Sequence, residues 1–379
     1  MTTDRPHRFA ALDGWRGICA LLVALHHLNA HGHFYSLPLV RNAWLFVDFF
    51  FVLSGFVIAH AYGRGLQSAS QIRDFTLRRF ARLWPLHVTI LAAFIALEAY
   101  RFAATGSGFT GERSLAAIFT NLSLIQSLGI HDGLTWNTPA WSISTEFYTY
   151  LAFASVCALT AARVWRIALS AGLMFFGLAV LLLFSRYGMR ETFGFGFFRC
   201  LYGFFAGTLI YEIWKAVPAR WSRSIWEVAV LSIVAIFVTF APHIRALEYF
   251  AVPVFAFAVF VFAQQAGAVS RIMESRAIGA FGRWSYSIYM VHMLVIALGF
   301  SALDALGKFF HQGWTVADRA GNETVTLGGI FGGDLTALVY LAIVIALSAF
   351  TWRFVELPGQ RLFVEHLHGK IMRGATPAR

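Results

Sequence analysis

The sequence predicts an all-α, polytopic integral membrane bundle of about ten transmembrane helices with both termini cytoplasmic. Three observations carry this. Of 379 residues, 58% are hydrophobic and only 13% are charged. That is about half the charged share of an ordinary soluble domain, so a large water-facing surface could not be covered. Ten mostly apolar stretches reach or approach the ~20 residues that a helix needs to cross the hydrocarbon layer. The basic residues then alternate between loops: of the 30 Lys and Arg, twenty lie on one side, seven on the other, and Arg16, Arg101 and Arg199 lie inside spans. Cytoplasmic loops retain Lys and Arg, so the richer side, which holds both ends, is the inside.

In chain order the expected spans are 11–30, 44–62, 84–103, 141–161, 167–185, 197–214, 226–241, 247–264, 285–302 and 333–353. The pair 226–241 and 247–264 is short and divided only by a turn containing Pro242, so it reads as a tight helical hairpin or a broken re-entrant pair. Loop 63–83 is basic and cytoplasmic, whereas 104–140 and 303–332 are Gly-rich and face outside. No composition shift marks a second domain: 1–365 is expected to form a single transmembrane domain and 366–379 a short basic cytoplasmic tail. The net charge of +11 follows from the positive-inside bias and contact with anionic head groups, with no nucleic-acid partner. The first apolar run holds Asp13, Arg16, His26 and His27 and no clear small-residue cleavage site, unlike a secretory signal peptide. Cys19, Cys157 and Cys200 all fall in spans and offer neither a disulfide framework nor metal-ligand spacing, so no metal is expected.

Charged groups inside a membrane cost about 3 kcal/mol each and usually face the bundle interior, where they carry function. In the first span Arg16 and His27 are about 20° apart around the axis and roughly 17 Å apart along it. Asp13 shares that stripe, and His26 turns about 100° away. Histidine is the usual proton acceptor near neutral pH. In the second span Asp48 is either an interface residue or a partner for a buried histidine, while Ser54-Gly55 would let a neighbouring helix approach closely. Arg79 and Arg82 share a helix face just before the third span. The guanidinium fork suits phosphate oxygens, and anchoring at the cytoplasmic surface is the plainer alternative. Glu146, one to two turns into the fourth span, must be neutral, paired across helices or lining water. Glu98 with Arg101, and Arg199 with Glu212, are expected to pair as structural bridges within their own spans. Tyr289 and His292, at i and i+3, face the same way. The last span runs to Val355-Glu356-Leu357-Pro358, where the proline is expected to stop the helix.

Taken in order, LDGWRG at 12–17, FFFVLSGF at 49–56, RRFARLWP at 78–85, WSISTEFY at 141–148, YSIYMVH at 286–292 and VELP at 355–358 resemble acyltransferase family 3. These are membrane acyltransferases that decorate bacterial surface sugars and related molecules. The likeness runs from residue 8 to 361 and is to the stand-alone membrane type, without an added extracytoplasmic domain. Two local departures stand out: His26 occupies a position that is usually aromatic, and Phe46 one that is often glycine.

The resemblance implies transfer of an acyl group, acetyl first among them, from cytoplasmic acyl-CoA to a hydroxyl of a carbohydrate or glycoconjugate at the membrane or its outer face. It implies a multi-pass protein of the inner (plasma) membrane, with acyl-CoA as co-substrate and no permanently bound cofactor. Arg16, Arg79 and Arg82 would hold the CoA phosphates, and His27 would deprotonate the acceptor, with Asp48 or Glu146 orienting its ring. Asp13, Tyr289 and His292 are further candidates, and an acyl-histidine intermediate is a variant. The competing class is a transporter or exporter of a lipid-linked or acylated sugar. That class also needs polar groups near the midplane, and often an internal repeat, which is not visible in this sequence.

Overall fold

In hydrocarbon every backbone N–H and C=O must be satisfied within its own segment, so long apolar runs fold as helices. The computed structural model describes residues 8–63, 66–217, 223–317, 323–363 and 365. Among these residues ten helices exceed eight residues: α1 (Ala10–Leu28), α2 (Phe46–Tyr62), α3 (Ala69–Thr105), α4 (Ala140–Leu159), α5 (Arg163–Phe184), α6 (Gly196–Ala216), α7 (Ser224–Phe240), α8 (Ala251–Phe262), α9 (Arg276–Phe309) and α10 (Gly329–Thr351). They match the ten expected spans one for one. The segment around Pro242 resolves into two helices, α7 and α8, joined through the turn Ala241–His243 and the short helix Arg245–Glu248. The tail expected over 366–379 lies outside the described residues.

Seven of these helices, with their flanking turns, are long and apolar enough to cross a membrane on composition alone. The other three, α1, α4 and α6, have 19, 20 and 21 residues, enough for ~30 Å at 1.5 Å per residue. Their hydropathy is diluted by Asp13, Arg16, Glu146 and Arg199, and each buries at least half of its residues inside the protein. The chain is an all-α polytopic membrane bundle whose most polar spans are among its best shielded.

Two helices overrun their expected spans. α3 has 37 residues and α9 has 34, about 50 Å or more each, so most of the loop expected over 63–83 is helix. A capping box starts α3: Ser68 Oγ accepts from Gln71 N at 3.2 Å, and Gln71 Oε1 accepts from Ser68 N at 3.1 Å. The stop expected at Pro358 also differs. Residues Trp352–Glu356 form a π-turn, and the helix resumes from 357 to 363. The wider turn absorbs a proline that cannot donate to its own preceding turn.

Glycines set the closest contacts. A Cβ on Gly17 would strike the backbone of Phe281 and Gly282, and one on Gly282 would strike the Asp13 carbonyl, so α1 and α9 meet backbone to backbone. Gly55 against the Phe204 carbonyl and Gly207 against the Val52 carbonyl do the same for α2 and α6, the small-residue contact typical of membrane helices. The Arg199–Glu212 bridge is corrected. Those residues lie thirteen apart on one helix, roughly 20 Å. Glu212 instead accepts from Arg163 and Lys215. Glu98 accepts from Arg113 at 2.8 Å, with Arg101 at 4.0 Å.

Of the loop expected over 303–332, residues to Phe309 belong to α9 and those from Gly329 to α10; between them β1 (Thr315–Ala317) pairs with β2 (Glu323–Val325), and Asn29 Nδ2, just past α1, donates to Thr324 Oγ1 at 2.8 Å. β2 therefore meets the chain two residues past His27.

Candidate active site

Helices α1, α2, α3, α4 and α9 enclose a cavity of about 130 Å³. α1 contributes Arg16, whose Nε donates to Ser285 Oγ at 2.8 Å and whose Nη2 donates to the Gly282 carbonyl at 2.9 Å, both on α9. Asp13 lies 3.3 Å from Arg16 and also accepts from Arg8 at 2.9 Å. α3 contributes Arg79 and Arg82, which line the same cavity as their i, i+3 spacing requires. Arg79 sits against the rings of Tyr62, Phe75 and Tyr150, and its buried Nε has no hydrogen-bond partner. Among the described residues neither Arg79 nor Arg82 forms a salt bridge. Three guanidinium groups thus converge, with Asp13 paired to Arg16 and Glu146 lining the same cavity. This is an arrangement that suits a polyanion.

The opposite wall is α4. Ser142, Glu146 and Tyr150 recur every four residues and all face the cavity. The Tyr150 hydroxyl donates to Glu146 Oε1 at 2.6 Å and meets Ser54 Oγ of α2 at 2.9 Å. One turn along from Ser285, Tyr289 closes the cavity on the α9 side. Its hydroxyl accepts from Ser142 Oγ at 2.9 Å, and Phe50 packs edge-on against its ring at 6.0 Å.

His27 stands just past this wall. It meets His292 of α9 with ring centroids 5.0 Å apart, and His292 in turn lies 5.9 Å from Tyr289. Because Arg16 and His27 both meet α9, the stripe expected along α1 is the α9-facing side. His27 Nδ1 lies 2.9 Å from the Val23 carbonyl. A carbonyl can only accept, so Nδ1 carries the proton and Nε2 keeps its lone pair in the neutral ring. His292 is fully buried with neither ring nitrogen hydrogen-bonded. His26 turns aside, with Nδ1 3.2 Å from the Val40 carbonyl.

The carboxylates expected to orient His27 lie elsewhere. Asp48, fully buried, accepts from Arg199 Nε and Nη2, each at 2.8 Å. Arg199 also donates to the Glu191 carbonyl at 3.2 Å and lies between the indoles of Trp44 and Trp141. This forked pair ties α2 to α6 and satisfies both charges locally. Glu146 is held by Tyr150 beside the arginines. Among the described residues no carboxylate is hydrogen-bonded to His27, whose ring is fixed by the Val23 carbonyl.

The structure therefore gathers Arg16, Arg79, Arg82, Glu146 and Tyr289 around one cavity, sets Asp13 beside Arg16, puts His27 and His292 together behind Tyr289, and sends Asp48 to Arg199. Sequence reasoning missed Ser142, Tyr150 and Ser285. The four-residue spacing of Ser142, Glu146 and Tyr150 was the available signal. Ser54, read as a packing residue, lines the cavity, and its neighbour Gly55 does the packing.

Comparison with known proteins agrees with this architecture. The acyltransferase domain model of family 3 matches residues 9–354. "Protein 2 in picA locus" of Rhizobium radiobacter is 36% identical over 173 residues, 41% of this chain and 85% of that one. "Acyltransferase MdmB" of Streptomyces mycarofaciens is 32% identical over 157 residues, 38% of each chain. "Peptidoglycan O-acetyltransferase OatA" of Listeria monocytogenes serovar 1/2a is 24% identical over 151 residues, 37% of this chain and 23% of that one. No solved structure matches. With the family model spanning nearly the whole bundle and every quoted motif but VELP at 355–358 inside it, the chain belongs to acyltransferase family 3, the membrane acyltransferases.

Proposed function

We propose that this protein moves an acyl group, acetyl in the simplest case, from acyl-CoA to a hydroxyl of a carbohydrate or glycoconjugate at the inner (plasma) membrane. The observation that supports this most is the cavity lined by Arg16, Arg79 and Arg82 and by Tyr289, one helical turn before His292, which packs against His27. The phosphates of coenzyme A meet the arginines on the side expected to be cytoplasmic. The pantetheine arm follows the cavity past Glu146, Tyr150 and Ser54, which offer hydrogen bonds to its amides. The acceptor approaches from the far end of α1, beside β2. The relative named for peptidoglycan O-acetylation favours a glycan hydroxyl as acceptor.

His27 Nε2, left basic by the Nδ1–Val23 bond, takes the proton of the acceptor hydroxyl as its oxygen attacks the thioester carbon. The tetrahedral carbon collapses, the C–S bond breaks, and the thiolate recovers the proton from the imidazolium. His292 packs against the His27 ring. Asp48, bound to Arg199, positions the wall that carries Phe50. Asp13 holds Arg16. Membranes incubated with radiolabelled acetyl-CoA and total cell glycans test the proposal. Base-labile label on a glycan that depends on this protein supports it. Substrate movement across the membrane with no ester formed overturns it in favour of an exporter.

A further inference from the structure

We infer that Tyr289, with Ser142 and Phe50, is the gate that sets which acyl groups reach His27, an inference that rests on the acyl-transfer function proposed above. These three side chains line the cavity, whereas neither His27 nor His292 does. His292 follows Tyr289 by three residues, roughly 4.5 Å along α9, and the ring contacts run Phe50 to Tyr289 to His292 to His27. Reacting atoms must come within about 3–3.5 Å, so an acyl carbon on the arginine side can reach His27 only past the Tyr289 ring.

The gate has one polar latch and one apolar backstop. The latch is the Ser142-to-Tyr289 hydrogen bond at 2.9 Å, which joins α4 to α9. The backstop is the edge of Phe50 at 6.0 Å. Tyr289 is 7% exposed, so its ring is packed on nearly every side. A two-carbon acyl group has the least to displace. Each added methylene must be housed where the phenol ring and Phe50 now stand, and pockets of this kind discriminate by about tenfold or more per methylene.

The test compares acetyl-, butyryl- and hexanoyl-CoA as donors in membranes carrying the wild-type protein, Tyr289→Ala, Tyr289→Phe, Phe50→Ala and Ser142→Ala. Detergent-extracted protein is checked for an unchanged gel-filtration peak. Wild type is expected to favour acetyl. Tyr289→Ala and Phe50→Ala should raise the butyryl-to-acetyl ratio of kcat/KM at least tenfold, and Ser142→Ala or Tyr289→Phe, which undo only the latch, should raise it less. An unchanged ratio in both alanine variants with acetyl transfer retained overturns the gate and leaves the acyl-transfer function standing. A second measurement reads the barrier without turnover: alkylation of His292→Cys, in a background lacking Cys19, Cys157 and Cys200, by a thiol reagent. Faster alkylation on adding Tyr289→Ala supports the gate, and an equal rate overturns it. Wild-type protein that transfers none of the three acyl groups overturns the function itself, a result distinct from either.

Discussion

Replacing Asp48 separates a structural role from a catalytic one. Asp48 is 0% and Arg199 2% exposed, and they share two 2.8 Å contacts. Asp48→Ala leaves a guanidinium buried with only the Glu191 and Trp44 carbonyls and two indole faces. Removing one partner of such a pair costs about 3–5 kcal/mol, much of it the stranded charge. Removing both should cost far less, so Asp48→Leu with Arg199→Met should recover most of the loss in a double-mutant cycle. The assay is equilibrium unfolding in mild detergent, followed by tryptophan fluorescence, since Trp44 and Trp141 flank Arg199. Activity supplies the contrast. An aspartate that held the tautomer of a catalytic histidine would lose about 10⁴-fold in kcat on conversion to asparagine. Asp48→Asn should here lose stability and keep kcat within about tenfold, because His27 is oriented by Val23. A stable Asp48→Asn protein with kcat down by orders of magnitude refutes the reasoning.

Arg79→Ala and Arg82→Ala should each raise KM for acyl-CoA by about 10- to 100-fold with little change in kcat, the equivalent of one charged hydrogen bond at ~1.5–3 kcal/mol. Steady-state kinetics at low and high salt check this, and unchanged KM values assign these arginines to surface anchoring. Gly207→Leu drives a side chain into the Val52 carbonyl and should lower stability by about 3 kcal/mol, read as the denaturant midpoint; a wild-type midpoint would mean that α2 and α6 do not meet here. Glu227 accepts from Gly267 N, Ser270 N and Ser270 Oγ, so Glu227→Ala should loosen the helix Ala268–Met273. Faster limited proteolysis between residues 263 and 275 is the expected outcome, and an unchanged cleavage rate argues against that role.

Much of this was legible in the sequence. Ten apolar runs became ten helices because hydrocarbon leaves the backbone no other solution, and the 100° step placed Arg16 and His27 on one stripe before their common neighbour α9 was known. Helix ends were less legible. The apolar run of α3 begins near residue 84, yet its capping box lies at Ser68, since hydrophobicity marks where a helix is in lipid and not where it starts. Pro358 misled for a related reason: the rule that proline ends a helix ignores the π-turn that can house it. Pairings between helices were the least legible. Asp48 and Arg199 are 151 positions apart, and nothing in either segment says which charge on another helix lies opposite. The same blindness hid His292 as the neighbour of His27 and sent Glu146 to His27 instead of to Tyr150.

The central claim is that His27 is the base that activates the acceptor. It is tested most directly by single-turnover transfer from radiolabelled acetyl-CoA in membranes carrying His27→Ala or His27→Gln, with acetyl-CoA binding measured in parallel. Donor binding at the arginine mouth within a few-fold of wild type, and no labelled ester in either variant, are the expected results. Ester formation at the wild-type rate in His27→Ala would contradict that claim.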